Sequence, residues 1–312
     1  MLIPGNRLET ISRALNLRTL LVLVPLLLLL AAACSSDSED PIISSEQEAG
    51  GPEYSGTIIT TDMAVGVNRL LFGVVDRKGM PVIGDSADVG VFFLVPREDA
   101  RELRQQVTAD FISWPTVIGG VFGAEVDIPL GGVYELDIRY TSSDGVEVFA
   151  QTSFLVKDES ETPSVGSPAP TSVTHTLADA EEISHITSSS EPDPELYQLS
   201  IDEALSEDKP LVIVFATPAF CVSATCGPQV GEITKVKAIV GDRANFIHVE
   251  VFEDPHLIEN SRHAGELVPA VLEWGLPTEP WVFIVDKDGL VSAKFEQFTT
   301  AGEIETKLLE IL

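Results

Sequence analysis

Cys221 and Cys226 are the residues of this chain best suited to do chemistry. They lie in ATPAFCVSATCGP (216–228), directly after an apolar run and directly before Gly227-Pro228. Two thiols with four residues between them admit three chemistries: a redox-active dithiol, a soft metal site, or a disulfide that staples a loop. Geometry narrows the conditions. Within one α-helix, five positions rise about 7.5 Å and place the side chains on roughly opposed faces. A disulfide needs Cα atoms about 4.4–6.8 Å apart. The pair can therefore bond only if a helix starts between the cysteines. Pro228 says where, because proline is tolerated in the first helical turn and costs about 3 kcal/mol in a helix interior. An N-cap near Thr225 makes Pro228 the third helical residue, where no hydrogen bond is lost. The helix is expected to begin at 225–227, with Cys221 on the loop folding back toward it. At a helix N-terminus, Cys226 would have its thiolate favoured. Because no Lys, Arg or His lies close to it in sequence, the expected pKa depression is mild.

Other candidate residues carry weaker signals. His256 and His263 are seven apart on an expected helix or loop and could share a face, but no Cys or carboxylate stands at ligand spacing beside them, so they read as surface histidines and no metal site is assigned. Glu232, six residues past Cys226, could relay a proton, but a solvated helix face explains it better. Trp274 and Trp281 fit core packing better than partner binding.

The chain has 312 residues, 49 acidic against 19 basic, for a formal net charge of −30. Such a balance repels phosphate backbones and excludes nucleic acid as a partner. Arg7, Arg13 and Arg18 precede an apolar run from Leu20 to Ala33. A basic region, a short apolar region and small residues before a break describe an export signal. The run is shorter than the ~20 residues a spanning helix needs. Ala31-Ala32-Ala33-Cys34 resembles the lipobox of bacterial lipoproteins, with Ala31 where Leu is usual. That resemblance implies a signal peptide over 1–33, lipidation of Cys34, and a mature chain anchored in the membrane on its extracytoplasmic face. Cys221 and Cys226 would then be the remaining cysteines of the chain in an oxidising compartment, where an isolated pair tends toward a disulfide or a redox-active dithiol.

The elements that must position the pair follow from periodicity. Residues 34–55 are rich in Ser, Glu and Gly and read as a flexible tether. From 56 to 157 apolar and polar residues alternate, as in Tyr134, Leu136, Ile138 and Tyr140 against Glu135, Asp137 and Arg139. Short strands separated by DRKG, PLGG and SSDG point to an antiparallel β-sandwich, immunoglobulin-like but without a Cys-Trp-Cys core. This all-β part carries no catalytic constellation and reads as a spacer or binding module. Residues 158–197 lose periodicity and read as an interdomain linker. From 198 to 312 the order is β-α-β-α-β-β-α. It comprises a short helix at 201–206 after Ser200, a strand LVIVFA (211–216), a helix over 229–240 and a strand over 245–252. A helix-prone stretch around 257–273 follows, then a hairpin turning on Asp288-Gly289 and a last helix opened by a Thr300/Glu303 capping box.

Three segments give this half, with a lead-in at VGSPAP (165–170), its resemblance. KPLVIVFAT followed by cysteines, GLPTEPWVFIVDKDG (275–289), and the final hairpin and helix resemble the membrane-tethered thioredoxin-like thiol-disulfide oxidoreductases. The resemblance implies an α/β thioredoxin-like fold and thiol-disulfide exchange by Cys221 and Cys226 without a cofactor. It places Pro280 at the family's cis-proline and gives Glu279-Pro280 the role of holding an extended partner. The partners would be extracytoplasmic protein thiols or disulfides. By distance from the strand Cys221 matches the family's first cysteine, whereas helix position favours Cys226, so the nucleophile stays open. The motif also departs from the family: Pro218-Ala219-Phe220 stands where it has Trp, and the cysteines are five apart rather than three. Peroxiredoxins share the C-x4-C spacing but want Thr or Ser where Pro218 stands, and copper proteins of related fold want a His near Pro277–Pro280. A non-enzymatic scaffold with a structural disulfide, or a Cu(I) carrier, are the rival readings.

Overall fold

The alternation over 56–157 becomes seven antiparallel strands. They are β1 (Tyr54–Ile58), β2 (Gly66–Asp76), β3 (Ser86–Leu94), β4 (Arg101–Ser113), β5 (Gly120–Ile128), β6 (Gly132–Thr141) and β7 (Glu147–Val156). The computed structural model describes residues 52–115, 119–259 and 265–312. The segment 1–33, Cys34, all but the end of the tether 34–55, and His263 lie outside the described residues. The seven strands form one sheet in the order β1-β2-β5-β4-β3-β6-β7. Where a sandwich would keep two sheets apart, the long β3–β4 hairpin joins them, with a register shift between Val91 and Phe92. Such irregularities bend and twist a strand. The sheet curls until its ends nearly meet. A Cβ added at Gly56 of β1 would stand 3.0 Å from Thr152 of β7, so glycine permits this close approach.

Period-2 alternation sets the core of this sheet. Tyr134, Leu136, Ile138 and Tyr140 of β6 are buried with Phe72, Val89, Val91, Phe122 and Phe154. Asp137, expected on the solvated face of β6, is buried as well. Arg101 grips it with two hydrogen bonds of 2.7 and 3.0 Å, and Gln151 adds a third at 2.7 Å.

The second sheet has four strands in the order β11-β10-β8-β9. β8 (Leu211–Ala216) runs parallel to β9 (Asn245–Glu250), while β10 (Trp281–Val285) is antiparallel to both β8 and β11 (Val291–Glu296). β8 is wholly buried because helices cover both of its faces. Val212, Val214 and Ala216 face α2 (Cys226–Val240) and α4 (Ala301–Leu309) through Val230, Ile233, Val236, Ile304 and Leu308. Leu211, Ile213 and Phe215 face α1 (Ile201–Leu205), α3 (Pro269–Glu273) and Trp274. The result is three layers.

Two expectations change. Among the described residues of the stretch around 257–273, where a helix was foreseen, there are a 3-10 turn at Pro255–Leu257 and the five-residue α3. Pro269 accounts for the late start, since a proline drives the residue before it into extended backbone, as at Val268 (φ −61°, ψ 146°). The segment 158–197, read as a linker, is packed. Ala169, Ile186, Leu196 and Tyr197 are buried, and Pro168 bridges to Leu290. Its polar, aperiodic sequence makes side-chain and backbone hydrogen bonds and two short 3-10 turns, Ile183–His185 and Pro194–Tyr197, rather than an α-helix or a strand ladder, which is why periodicity missed it.

Both sheets belong to one compact unit, Gly51–Leu312. They meet along a polar seam. Arg69 of β2 donates to the carboxylate of Glu303 at 2.8 Å and to the carbonyls of Glu296 and Phe298 at 3.0 and 3.2 Å. Beside it, the buried Asp62 carboxylate accepts from the Glu161 and Thr162 amides and from Lys294 at 3.3 Å.

Candidate functional site: a disulfide at the mouth of a helix

Helix α2 starts at Cys226, directly after Thr225, where Pro228 places it. Thr225 occupies the N-cap position without a side-chain cap bond. Its hydroxyl lies 2.7 Å from that of Ser223 instead. The capping partner is a sulfur, because the Cys226 amide donates to Sγ of Cys221 at 3.3 Å. Cys221 and Cys226 are joined in a disulfide, with Cα atoms 5.9 Å apart. The loop reaches this closure through Ala224, whose φ of 57° folds the chain back. A turn from the Phe220 amide to the Thr217 carbonyl precedes it.

The two sulfurs are not equivalent. Cys226 is fully buried, packed in the apolar layer between β8 and α2. Cys221 is half-buried at the edge of that layer, and Val222 beside it is 94 % exposed. Ser223 Oγ lies 3.3 Å from Cys221 Sγ. A disulfide sulfur carries no proton, so the hydroxyl donates. Hence Cys221 is the more exposed of the two, and it also receives the N-terminal amide of α2. Sequence reasoning gave the helix terminus to Cys226, but a residue opening a helix aims its amide outward, here at the sulfur on the preceding loop.

The segment before β10 closes the other side. The Glu279–Pro280 peptide is cis. The Val222 amide donates to the Glu279 carboxyl, whose pKa burial pushes up against that hydrogen bond. The structure thus brings Glu279 to the cysteine loop and sets Pro280 directly after it, buried at the start of β10.

The remaining candidates do not join the site. Glu232 spends one carboxylate oxygen on Lys235 at 2.6 Å and the other on the Ala301 amide at 2.7 Å. His256 is exposed, with its ring stacked on His185 at 4.0 Å. Trp274 and Trp281 are core residues, their indole nitrogens donating to Ser172 and Thr278. Among the described residues, no three His, Cys, Asp or Glu side chains converge on a metal position.

Several buried polar residues around the site were invisible to sequence reasoning. Gln229, in the first turn of α2, exchanges two hydrogen bonds with the Thr299 backbone at 2.7 and 3.2 Å. His248 of β9 lies 3.0 Å from the Ala216 carbonyl through Nε2 and 2.6 Å from the Tyr197 hydroxyl through Nδ1. A carbonyl only accepts, so Nε2 carries the proton; burial holds the ring's pKa down and its neutral form in place. Glu250, at the end of the same strand, is 4 % exposed. It accepts from the Ser188 amide and hydroxyl at 2.8 and 2.7 Å. The hint in sequence for these two was that His248 and Glu250 interrupt the apolar residues that follow Asn245 in NFIHVE.

No family model matches this chain, and no curated protein does. Among solved structures, a DsbF homologue from Corynebacterium diphtheriae is 16 % identical over 36 % of this chain and 77 % of its own, with a TM-score of 0.29. Two variants of the superoxide reductase (neelaredoxin) of Ignicoccus hospitalis are 11 and 12 % identical, covering 33 and 39 % of this chain and 78 and 98 % of their own, with TM-scores of 0.21 and 0.22. At such TM-scores these likenesses carry no argument. Among the described residues, no helix is long and apolar enough to cross a membrane.

Proposed function

We propose that this protein carries out thiol-disulfide exchange through Cys221 and Cys226 on a thioredoxin-like domain, and that the chain works outside the cytoplasm, anchored through a lipid on Cys34. One observation carries the reading: a half-buried sulfur at the mouth of a helix is bonded to a fully buried one, beside a loop with a cis proline. Exposure assigns the roles. A partner thiolate attacks Cys221 Sγ, the bond to Cys226 breaks, and Cys226 leaves as thiolate while a mixed disulfide forms on Cys221. A second partner thiolate then attacks the partner's own sulfur and expels Cys221. Run backwards, the same steps reduce a partner disulfide. The amide of Cys226, aimed at Cys221 Sγ, stabilises the thiolate that must form there. Extracytoplasmic protein thiols or disulfides are the substrates, held in extended form against Glu279-Pro280.

For the β-rich half we read an immunoglobulin-like spacer. Its order divides into 1-2-5-4 and 3-6-7, the strand sets of that sandwich joined at one edge. Tyr134 on β6 donates its hydroxyl to the Leu130 carbonyl at 2.9 Å, the back-bond of a tyrosine corner.

The reduction potential of the Cys221–Cys226 pair tests the exchange reading. An exchanging pair is expected between about −120 and −270 mV, the span of known oxidoreductases, whereas an inert staple falls below about −300 mV. A value in the lower range would overturn the reading in favour of a structural disulfide.

A further inference from the structure

Ser188 and Glu250 touch neither sulfur, yet they reach the cysteine loop. Glu250 ends β9 and pairs in register with Ala216, the last residue of β8 before the loop. One of its carboxylate oxygens, Oε2, accepts both the amide and the hydroxyl of Ser188, while Oε1 accepts the Val251 amide at 3.1 Å. A serine hydroxyl has one proton. Ser188 commits it to the carboxylate, which leaves its oxygen lone pairs free, and one of them accepts the amide of Ala219 at 3.1 Å. Ala219 stands two residues before Cys221. A buried carboxylate is thus connected through a single hydroxyl to the backbone that carries the reachable sulfur. Charge-assisted hydrogen bonds such as those into Glu250 are roughly twice as strong as neutral ones, so the hydroxyl is rigidly oriented.

We infer that Ser188 and Glu250 are positioning residues that hold the Ala219–Cys221 segment in its disulfide-closed conformation and thereby set the reduction potential of the pair. The inference deepens the exchange reading and rests on it. The carboxylate fixes the serine rotamer, the serine fixes the Ala219 amide, and the amide fixes how Cys221 approaches Cys226 across the start of α2. A second hydrogen bond to the loop from outside it, from the Val222 amide to Glu279, lies on the other side of Cys221, so the strut is the hold on the Ala219 flank. Ser188 belongs to the segment 158–197, which gives that packed segment a role in the site.

The test is equilibration of the whole chain with glutathione buffers, scored by alkylation of the free thiols. Two glutathione thiols supply two electrons and two protons and become one glutathione disulfide, while the Cys221–Cys226 bond opens to two thiols. Ser188→Ala removes the acceptor for one amide, and Ser188→Thr keeps it. Ser188→Ala is expected to raise the equilibrium constant for reduction roughly tenfold, on the scale of one hydrogen bond, or about 30 mV for a two-electron couple. Ser188→Thr is expected to stay within about twofold of wild type, a rescue that loss of packing alone would not show. Glu250→Gln should shift the constant in the same direction as Ser188→Ala. Hydrogen exchange at the Ala219 amide gives a second readout, faster in the Ser188→Ala chain than in wild type. An unchanged constant and unchanged Ala219 exchange in Ser188→Ala overturn the strut, while a wild-type disulfide that glutathione cannot open overturns the exchange reading instead. If Glu250→Gln does not fold, the half-buried Ser188 pair of variants still decides the matter.

Discussion

At the scale of single residues, the site is defined by an inequality between two cysteines. Burial of Cys226 and partial exposure of Cys221 decide which sulfur is open to the outside. Glu279 adds a titrating group beside them. Burial pushes its carboxyl above the ordinary 4.5, and the Val222 amide opposes that shift without cancelling it. A carboxyl that binds its proton more tightly folded than unfolded stabilises the fold below its unfolded pKa. That contribution is lost as pH rises through the folded value. Glu279→Gln is neutral throughout, so its stability relative to wild type should improve between pH 4 and pH 7. Urea unfolding of both chains at the two pH values checks this; a gap that does not move with pH would rule the coupling out.

At the scale of elements, helix α2 is the part that had to begin in one place. Pro228 and the distance limits of a disulfide made that start legible in sequence, and the helix opens at Cys226. The Thr300/Glu303 capping box was legible for the same reason, since it is written within a few adjacent residues, whereas the cis Glu279–Pro280 peptide was expected from the resemblance alone. What sequence did not show are contacts between distant positions. Gln229 meets Thr299 seventy residues on, and Ser188 meets Glu250 across sixty-two. Neither follows from periodicity, and a buried polar side chain looks like any surface one until its partner is known. Proline worked both ways, marking the start of α2 and hiding in the stretch 257–273, where Pro269 delays α3. Gln229 ties α2 to the turn before α4 with two hydrogen bonds in a fully buried position. Gln229→Ala would leave the Thr299 amide and carbonyl unpaired, at about 1–3 kcal/mol for an unsatisfied buried group. Denaturant unfolding should show a loss in that range, and a loss below about 0.5 kcal/mol would mean that water replaces the glutamine without cost.

At the scale of the whole molecule, two sheets of different construction share one compact unit. Alternation was enough to foresee β2, β3, β5, β6 and β7, but not β4, whose sequence RELRQQVTADFIS does not alternate, nor the sheet's curl, which depends on the β3–β4 junction and on Gly56. Their seam is polar, and its ionised groups are held in place. Burial alone would raise the Asp62 carboxyl. Hydrogen bonds from Ser160, the Glu161 amide and Thr162, together with the charge of Lys294, overcome that cost and hold it well below the usual carboxylate range. The cysteine loop is thus mounted on β8 and α2, within a body fixed from both sides. The account stands most directly on the roles of the two sulfurs, and single-cysteine trapping tests them. After incubation with glutathione disulfide, Cys226→Ser should accumulate a glutathione adduct on Cys221, read as one added glutathione by mass. Cys221→Ser, whose remaining thiol is buried, should form the adduct at least tenfold more slowly while still folded. Equal rates in the two variants, or faster reaction at Cys226, would contradict the account.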